Sequence, residues 1–165
     1  MQCVDVGSYG LFGDKQGRRA SRTFLYLRPS LFLLMAAVVI VIDDDPEDIQ
    51  LLCEAFTAID GSIDCVPYTD PVLAVNALTS DPDLNPALIV IDINMPRMMG
   101  DACLRWLRRL EKFRDTQVAI LSTTMSDQVA RELKACGADF TLQKPNSFDA
   151  YLTLVKAIVP PKKIV

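Results

Sequence analysis

From residue 38 onward the chain alternates between two patterns of hydrophobic and polar positions. Short apolar runs rich in Val and Ile occupy Val38–Ile42, 87–91 and Gln117–Ser122, with weaker runs at 62–67 and Phe140–Gln143. Runs of this length and β-branched content read as strands, and near-continuous apolar character predicts burial on both faces. Between them, apolar residues recur at helical spacing behind recognisable start signals. Asp45 followed by Pro46 predicts an N-cap with proline at the first helical position. Ile49, Leu51, Leu52, Ala55 and Phe56 then form an apolar face. A second helix is predicted over 71–78. A third starts near Gly100, with Cys103, Leu104, Leu107 and Leu110 inward and Arg105, Arg108, Arg109 and Lys112 mostly outward. Ser126 caps a fourth helix that ends at Gly137. Ser147 caps a fifth that stops before Pro160-Pro161. Five strands in strict alternation with five helices predict an α/β fold, a parallel sheet covered on both faces with right-handed crossovers.

Residues 1–36 show no clear period and contain Gly7, Gly10, Gly13 and Gly17, so they are expected to form an extension outside the fold. The expected domain spans 37–160, with a short tail at 161–165. Met35 is an alternative start for the natural chain. An unbroken apolar run of twelve residues, Leu31 to Ile42, invites a membrane reading. A helical span needs about 20 such residues, and no small-residue cleavage site follows, so no stable membrane insertion is expected. The run ends instead in Asp43-Asp44-Asp45.

Composition narrows the chemistry. The net charge is -4, unevenly spread: residues 1–36 hold five basic and two acidic side chains, and the remainder twelve basic and nineteen acidic. An acidic body disfavours nucleic acid as a direct partner and suits a cation. The Arg-rich stretch from Arg105 to Arg114 reads as a solvated helix face. Histidine is absent from the sequence, which removes the commonest general base and most transition-metal sites. Cys3, Cys53, Cys65, Cys103 and Cys136 show no C-x-x-C spacing and read as reduced thiols in a cytosolic protein.

In a doubly wound sheet, ligands bind outside the carboxyl ends of the strands. Those ends carry Asp43, Asp44 and Asp45 after the first strand, Asp92 after the third, Ser122-Thr123 after the fourth and Lys144-Pro145 after the fifth. Asp43, Asp44 and Asp92 brought together would repel unless a cation intervened, and a hard divalent ion such as Mg2+ with oxygen ligands resolves this. Such an ion lets a carboxylate approach a phosphoryl donor, giving an aspartyl phosphate. Ser122 can then hydrogen-bond a phosphoryl oxygen, and Lys144 can pair with Asp92 or the phosphate.

Four segments carry a family likeness. Val-Ile-Asp-Asp-Asp-Pro at 41–46, Ile-Asp-Ile-Asn-Met-Pro at 91–96 with Gly100, Ile-Leu-Ser-Thr at 120–123 and Gln-Lys-Pro at 143–145 occur in order. Over 38–159 the chain resembles the receiver domain of two-component response regulators. The resemblance implies a flavodoxin-like (βα)5 sheet of order 2-1-3-4-5 and a stand-alone phosphoacceptor switch, not an enzyme in the usual sense. Asp92 would accept the phosphoryl group. Asp43, Asp44, Asp92 and the backbone carbonyl of Asn94 would hold Mg2+, with Ser122, Thr123 and Lys144 around the phosphate. Pro96, Gly100 and Pro145 would shape the site, with Lys144-Pro145 cis. A histidine kinase or histidine phosphotransfer protein would be the donor in the cytoplasm. An effector would read the face of the fourth helix, fifth strand and fifth helix, and a homodimer is open. Receivers usually carry Tyr or Phe where this chain has Thr141; Phe140 beside it points to the opposite face, so the resemblance does not extend to the family's usual aromatic coupling.

Two other functions compete. Asp43-x-Asp45 after a hydrophobic strand imitates the nucleophile motif of haloacid-dehalogenase-type phosphatases and Leu121-Ser122 their hydroxyl motif, but Asp92 then precedes the hydroxyl motif, the wrong order. Thr141 alone favours a receiver that binds partners without being phosphorylated.

Overall fold

The computed structural model describes residues 37–159. The expected extension at 1–36, with its alternative start Met35, and the tail at 161–165 lie outside the described residues.

Five strands and five helices alternate as expected: β1 (Val38–Ile42), α1 (Pro46–Ile59), β2 (Asp64–Tyr68), α2 (Pro71–Ser80), β3 (Leu88–Asp92), α3 (Gly100–Arg109), β4 (Gln117–Ser122), α4 (Asp127–Ala135), β5 (Phe140–Gln143) and α5 (Phe148–Ile158). A single 3-10 turn, Glu111–Phe113, follows α3. All strand pairs are parallel and the order is β2-β1-β3-β4-β5, the flavodoxin-like arrangement.

The unbroken apolar runs become central strands because each strand's side chains alternate between two cores. Val39 and Val41 of β1, Leu88 and Val90 of β3, and Ala119 and Leu121 of β4 pack under α1 and α5. Their neighbours Ile40, Ile42, Ile89, Ile91, Val118 and Ile120 pack under α2, α3 and α4. The same parity sets the tips. Asp43 continues the row of Val39 and Val41, Asp92 that of Leu88 and Val90, and Lys144 that of Phe140 and Leu142. All three therefore fall on the α1–α5 side.

The capping signals act as read. The Asp45 carboxylate accepts the Glu47 N–H at 2.8 Å, with Pro46 opening α1. Gly137, at φ 102°, ends α4 by placing its own N–H on Lys134 O and the Ala138 N–H on Leu133 O, the paired bonds of a Schellman motif. A Cβ at Gly137 would also meet the stem of Arg108.

Five expectations are corrected. The second strand starts at Asp64 rather than residue 62, because Asp60 accepts both the N–H and the hydroxyl of Ser62 and holds it in a turn. The third strand is shifted by one residue to Leu88–Asp92, and the second helix runs on to Ser80. Arg108 does not point outward. Its side chain is 18% exposed and donates to Gly137 O, Phe113 O, Thr116 O and Asp139, whose carboxylate also accepts the Val118 N–H. The fifth correction concerns the thiols. Cys53 of α1 and Cys65 of β2 are joined by a disulfide across a Cα–Cα distance of 5.7 Å, within the range such a bond requires. Spacing along the chain hides this pair, because a helix and the strand that follows it meet only once the crossover has folded. Cys103 and Cys136 are free.

Candidate functional site

The carboxyl ends of β1, β3, β4 and β5 converge where β1 is flanked by β2 and β3, the point at which strand order reverses. Asp43 and Asp92 are buried at 2% and 4% exposure, and Asp44 beside them is exposed. Carboxylate oxygens of the three lie within 4.8 Å of one another, close enough to share one cation.

Lys144 enters from the end of β5. Its Nζ lies 2.8 Å from Asp43 Oδ2, 2.8 Å from Asp92 Oδ1 and 2.8 Å from Asp48 Oδ2. Register brings it there: Ser122 pairs with Gln143, and the Lys144 N–H donates to Ser122 O at 2.7 Å. The expected cis bond between Lys144 and Pro145 is not present; the peptide is trans, the isomer that ordinary proline energetics favours, and the ammonium reaches the acids from it.

Each carboxylate is oriented by local backbone. Asp92 Oδ2 accepts the Asn94 N–H at 2.6 Å, and Asp43 Oδ1 accepts the Asp45 N–H at 3.0 Å. Beyond Asp92, the Met98 N–H donates to Pro96 O across Arg97, which stands at φ 69°. Gly100 packs directly on the backbone of Asp92 and Ile93, where a Cβ would overlap the Asp92 carbonyl oxygen. That close approach is the physical requirement for glycine at this position. Ser122 is buried, and its Oγ accepts the Thr124 N–H at 3.4 Å; Thr123 is exposed.

Electrostatics follow from crowding. Burial pushes the Asp43 carboxyl up to about 6; Lys144, through a hydrogen bond and its charge, and the Asp45 N–H pull it back only in part, and the Asp92 charge adds to the rise. The Asp48 carboxyl is lowered despite its own burial, because Lys144 and Tyr151 both donate to it. Lys144 is held well above its ordinary range, its three carboxylate partners outweighing desolvation. Three carboxylates on one ammonium, with Asp44 beside them, leave an excess of negative charge, which fits a divalent cation.

The structure thus brings together Asp43, Asp44, Asp92 and Lys144, with Ser122 on the adjoining strand tip. Asp45 caps α1 instead of joining them. Two participants escaped the sequence reading. Asp48 lies in the first turn of α1, and Tyr151 of α5, 1% exposed, donates its hydroxyl to Asp48 Oδ1 at 2.7 Å. The available signal was position: Asp48 precedes Leu52 by four residues and so lies on the buried face of α1. On β5, Phe140 packs toward α1 and α5, leaving Thr141 on the opposite face.

Comparison with known proteins agrees with this geometry. The family described as response regulator receiver domain matches residues 39–156. A protein-glutamate methylesterase/protein-glutamine glutaminase 2 of Chromobacterium violaceum is 31% identical over 115 residues, 68% of this chain and 31% of that protein. Protein PilG of Pseudomonas aeruginosa is 31% identical over 108 residues, covering 66% of this chain and 70% of PilG. This chain therefore spans about a third of the first relative's length and more than two thirds of the second's. Among solved structures, the receiver domain of the Francisella response regulator 1452 superposes with a TM-score of 0.61 at 31% identity, over 73% of this chain and 94% of that one.

Proposed function

We propose, from the premise that this chain belongs to the response regulator receiver family, that residues 37–160 form a phosphoacceptor switch of two-component signalling with Asp92 as the acceptor. One Asp92 carboxylate oxygen attacks the phosphorus of a phosphohistidine; the P–N bond breaks, the imidazole departs and an acyl phosphate remains. The observation that carries this reading is the meeting of Asp92 with Asp43 and Asp44 within 4.8 Å while Lys144 contacts Asp92 at 2.8 Å.

Asp43, Asp44, Asp92 and the Asn94 carbonyl would hold Mg2+, which when bound screens the charge of the incoming phosphoryl group. Lys144 holds Asp92 in place and then donates to a phosphoryl oxygen, and the Ser122 hydroxyl donates to another, with Thr123 at the rim. Gly100 and Pro96 keep the loop after β3 tight against the acceptor, and Pro145 directs the chain from Lys144 into α5. The donor is a histidine kinase or a histidine phosphotransfer protein, and the effector docks on the α4-β5-α5 face, as a monomer or across a homodimer. The module itself turns over no substrate beyond gaining and losing its phosphoryl group. Among the described residues no helix is long and apolar enough to cross a membrane. We place the switch in the cytoplasm, with the partly exposed Cys53–Cys65 bond within reach of cellular thiols.

The test is intact-mass measurement after incubation with acetyl phosphate. A single phosphoryl adduct is expected with magnesium, none with a chelator, and none in Asp92→Asn. A normal adduct in Asp92→Asn would refute the assignment.

A further inference from the structure

We infer that Asp48 and Tyr151 are positioning residues of this site: Asp48 anchors the Lys144 ammonium from α1, and Tyr151 fixes the Asp48 carboxylate from α5. An ammonium has three N–H donors, and Lys144 has three carboxylate partners, Asp43, Asp48 and Asp92, each at 2.8 Å. On the function proposed above, two of those three have another task. Asp43 would bind a cation and Asp92 would become an acyl phosphate, so both weaken as partners for lysine during the reaction. Asp48 stands outside the cluster of carboxylates able to share a cation. It is also pinned at both oxygens, Oδ2 by Lys144 and Oδ1 by the Tyr151 hydroxyl at 2.7 Å. Asp48 is therefore the partner that stays.

An acid in the first turn of a helix suits the helix dipole, but the cap of α1 is already provided by Asp45, and Asp48 turns to the lysine instead. Tyr151 fills the core as Phe would, yet its hydroxyl is directed onto a carboxylate rather than left to solvent. A lysine carries its charge on a flexible four-carbon stem, so a fixed anchor decides where that charge sits when the phosphoryl group arrives. The same chain of contacts ties the site to α5, on the opposite side of the sheet from Thr141.

Asp48→Ala, Asp48→Asn and Tyr151→Phe separate the possibilities, Asp48→Asn preserving shape should the alanine variant fold poorly. The first readout needs no phosphoryl transfer. In nitrogen-15-labelled protein the Lys144 ammonium resonance, assigned by its loss in Lys144→Arg, should remain protected from exchange when magnesium is added to the wild type. It should broaden away with magnesium in both Asp48 variants. The second readout is the rate of phosphorylation from acetyl phosphate at saturating magnesium. It should fall about tenfold in Asp48→Ala and about threefold in Tyr151→Phe, while the magnesium concentration for half-saturation stays within about twofold. A residue that only supported the fold would lower the melting temperature and leave both readouts unchanged well below it, and that result would overturn the assignment. A wild type that accepts no phosphoryl group would instead count against the function proposed above, and the resonance would still decide the role of Asp48.

Discussion

Burial raises the Asp43 carboxyl, and the sign of that shift bears on stability and on magnesium. The carboxyl lies at about 6 in the folded protein against an ordinary 3.8, chiefly through burial. The folded state therefore binds this proton more tightly than the unfolded state. Its contribution to stability is fully present below about pH 4 and is lost as pH rises through about 6. At the proposed site magnesium would compete with the same proton, so its affinity should fall as pH drops from about 7 to about 5. Titrating magnesium at both pH values checks this, and in Asp43→Asn that part of the pH dependence should disappear. Gly100 gives a steric prediction: Gly100→Ala drives a Cβ into the Asp92 carbonyl and should cost about 2 kcal/mol in urea denaturation, as overpacking does. Asp43, Asp92, Ser122 and Lys144 were legible in the sequence because each terminates an apolar strand run, where topology forces side chains to one rim. Asp48 and Tyr151 were not, because an acid in the first turn of α1 reads as a charge on the helix dipole and a tyrosine on the buried face of α5 reads as core, and the partner of each depends on how two helices pack.

Helix and strand identities were legible from periodicity because both sheet faces are covered, which leaves β1, β3 and β4 without polar interruption. Connections between elements were less so. The Cys53–Cys65 bond links α1 to the edge strand β2 across a sequence separation of 12. By loop-closure entropy it should stabilise the fold by about 3 kcal/mol. Urea denaturation with and without a reductant measures it, and Cys53→Ser should reproduce the reduced value. Cys103 should resist alkylation in the native protein, since burial pushes its thiol up to about 12. Arg108 is the other long-range link. It joins α3 to the 3-10 turn, the carbonyl at the end of α4 and the Asp139 carboxylate beside β4. Its replacement by Ala should cost about 2 kcal/mol, and Lys should rescue little, because one ammonium cannot reproduce the fork. A helical-wheel reading placed Arg108 outside because it scores the charge of the residue and not the carbonyls a neighbouring helix end leaves open.

The whole molecule follows from the strand order β2-β1-β3-β4-β5. Placing β1 and β3 side by side puts Asp43 next to Asp92, and adding β4 and β5 on the β3 side delivers Ser122 and then Lys144 to the same rim. Side-chain parity then turns Asp43, Asp92 and Lys144 toward α1 and α5, where Asp48 and Tyr151 wait. The fold thus assembles from distant segments a cluster of negative charge around the Lys144 ammonium, and phosphoryl transfer to Asp92 is the chemistry proposed for that cluster. Trapping the acyl phosphate with borohydride, followed by peptide mapping, locates the modified carboxyl directly. After treatment with acetyl phosphate and magnesium, the account predicts reduction of Asp92 alone to homoserine. Reduction at Asp43 or Asp45, or no reduced residue at all, would contradict it.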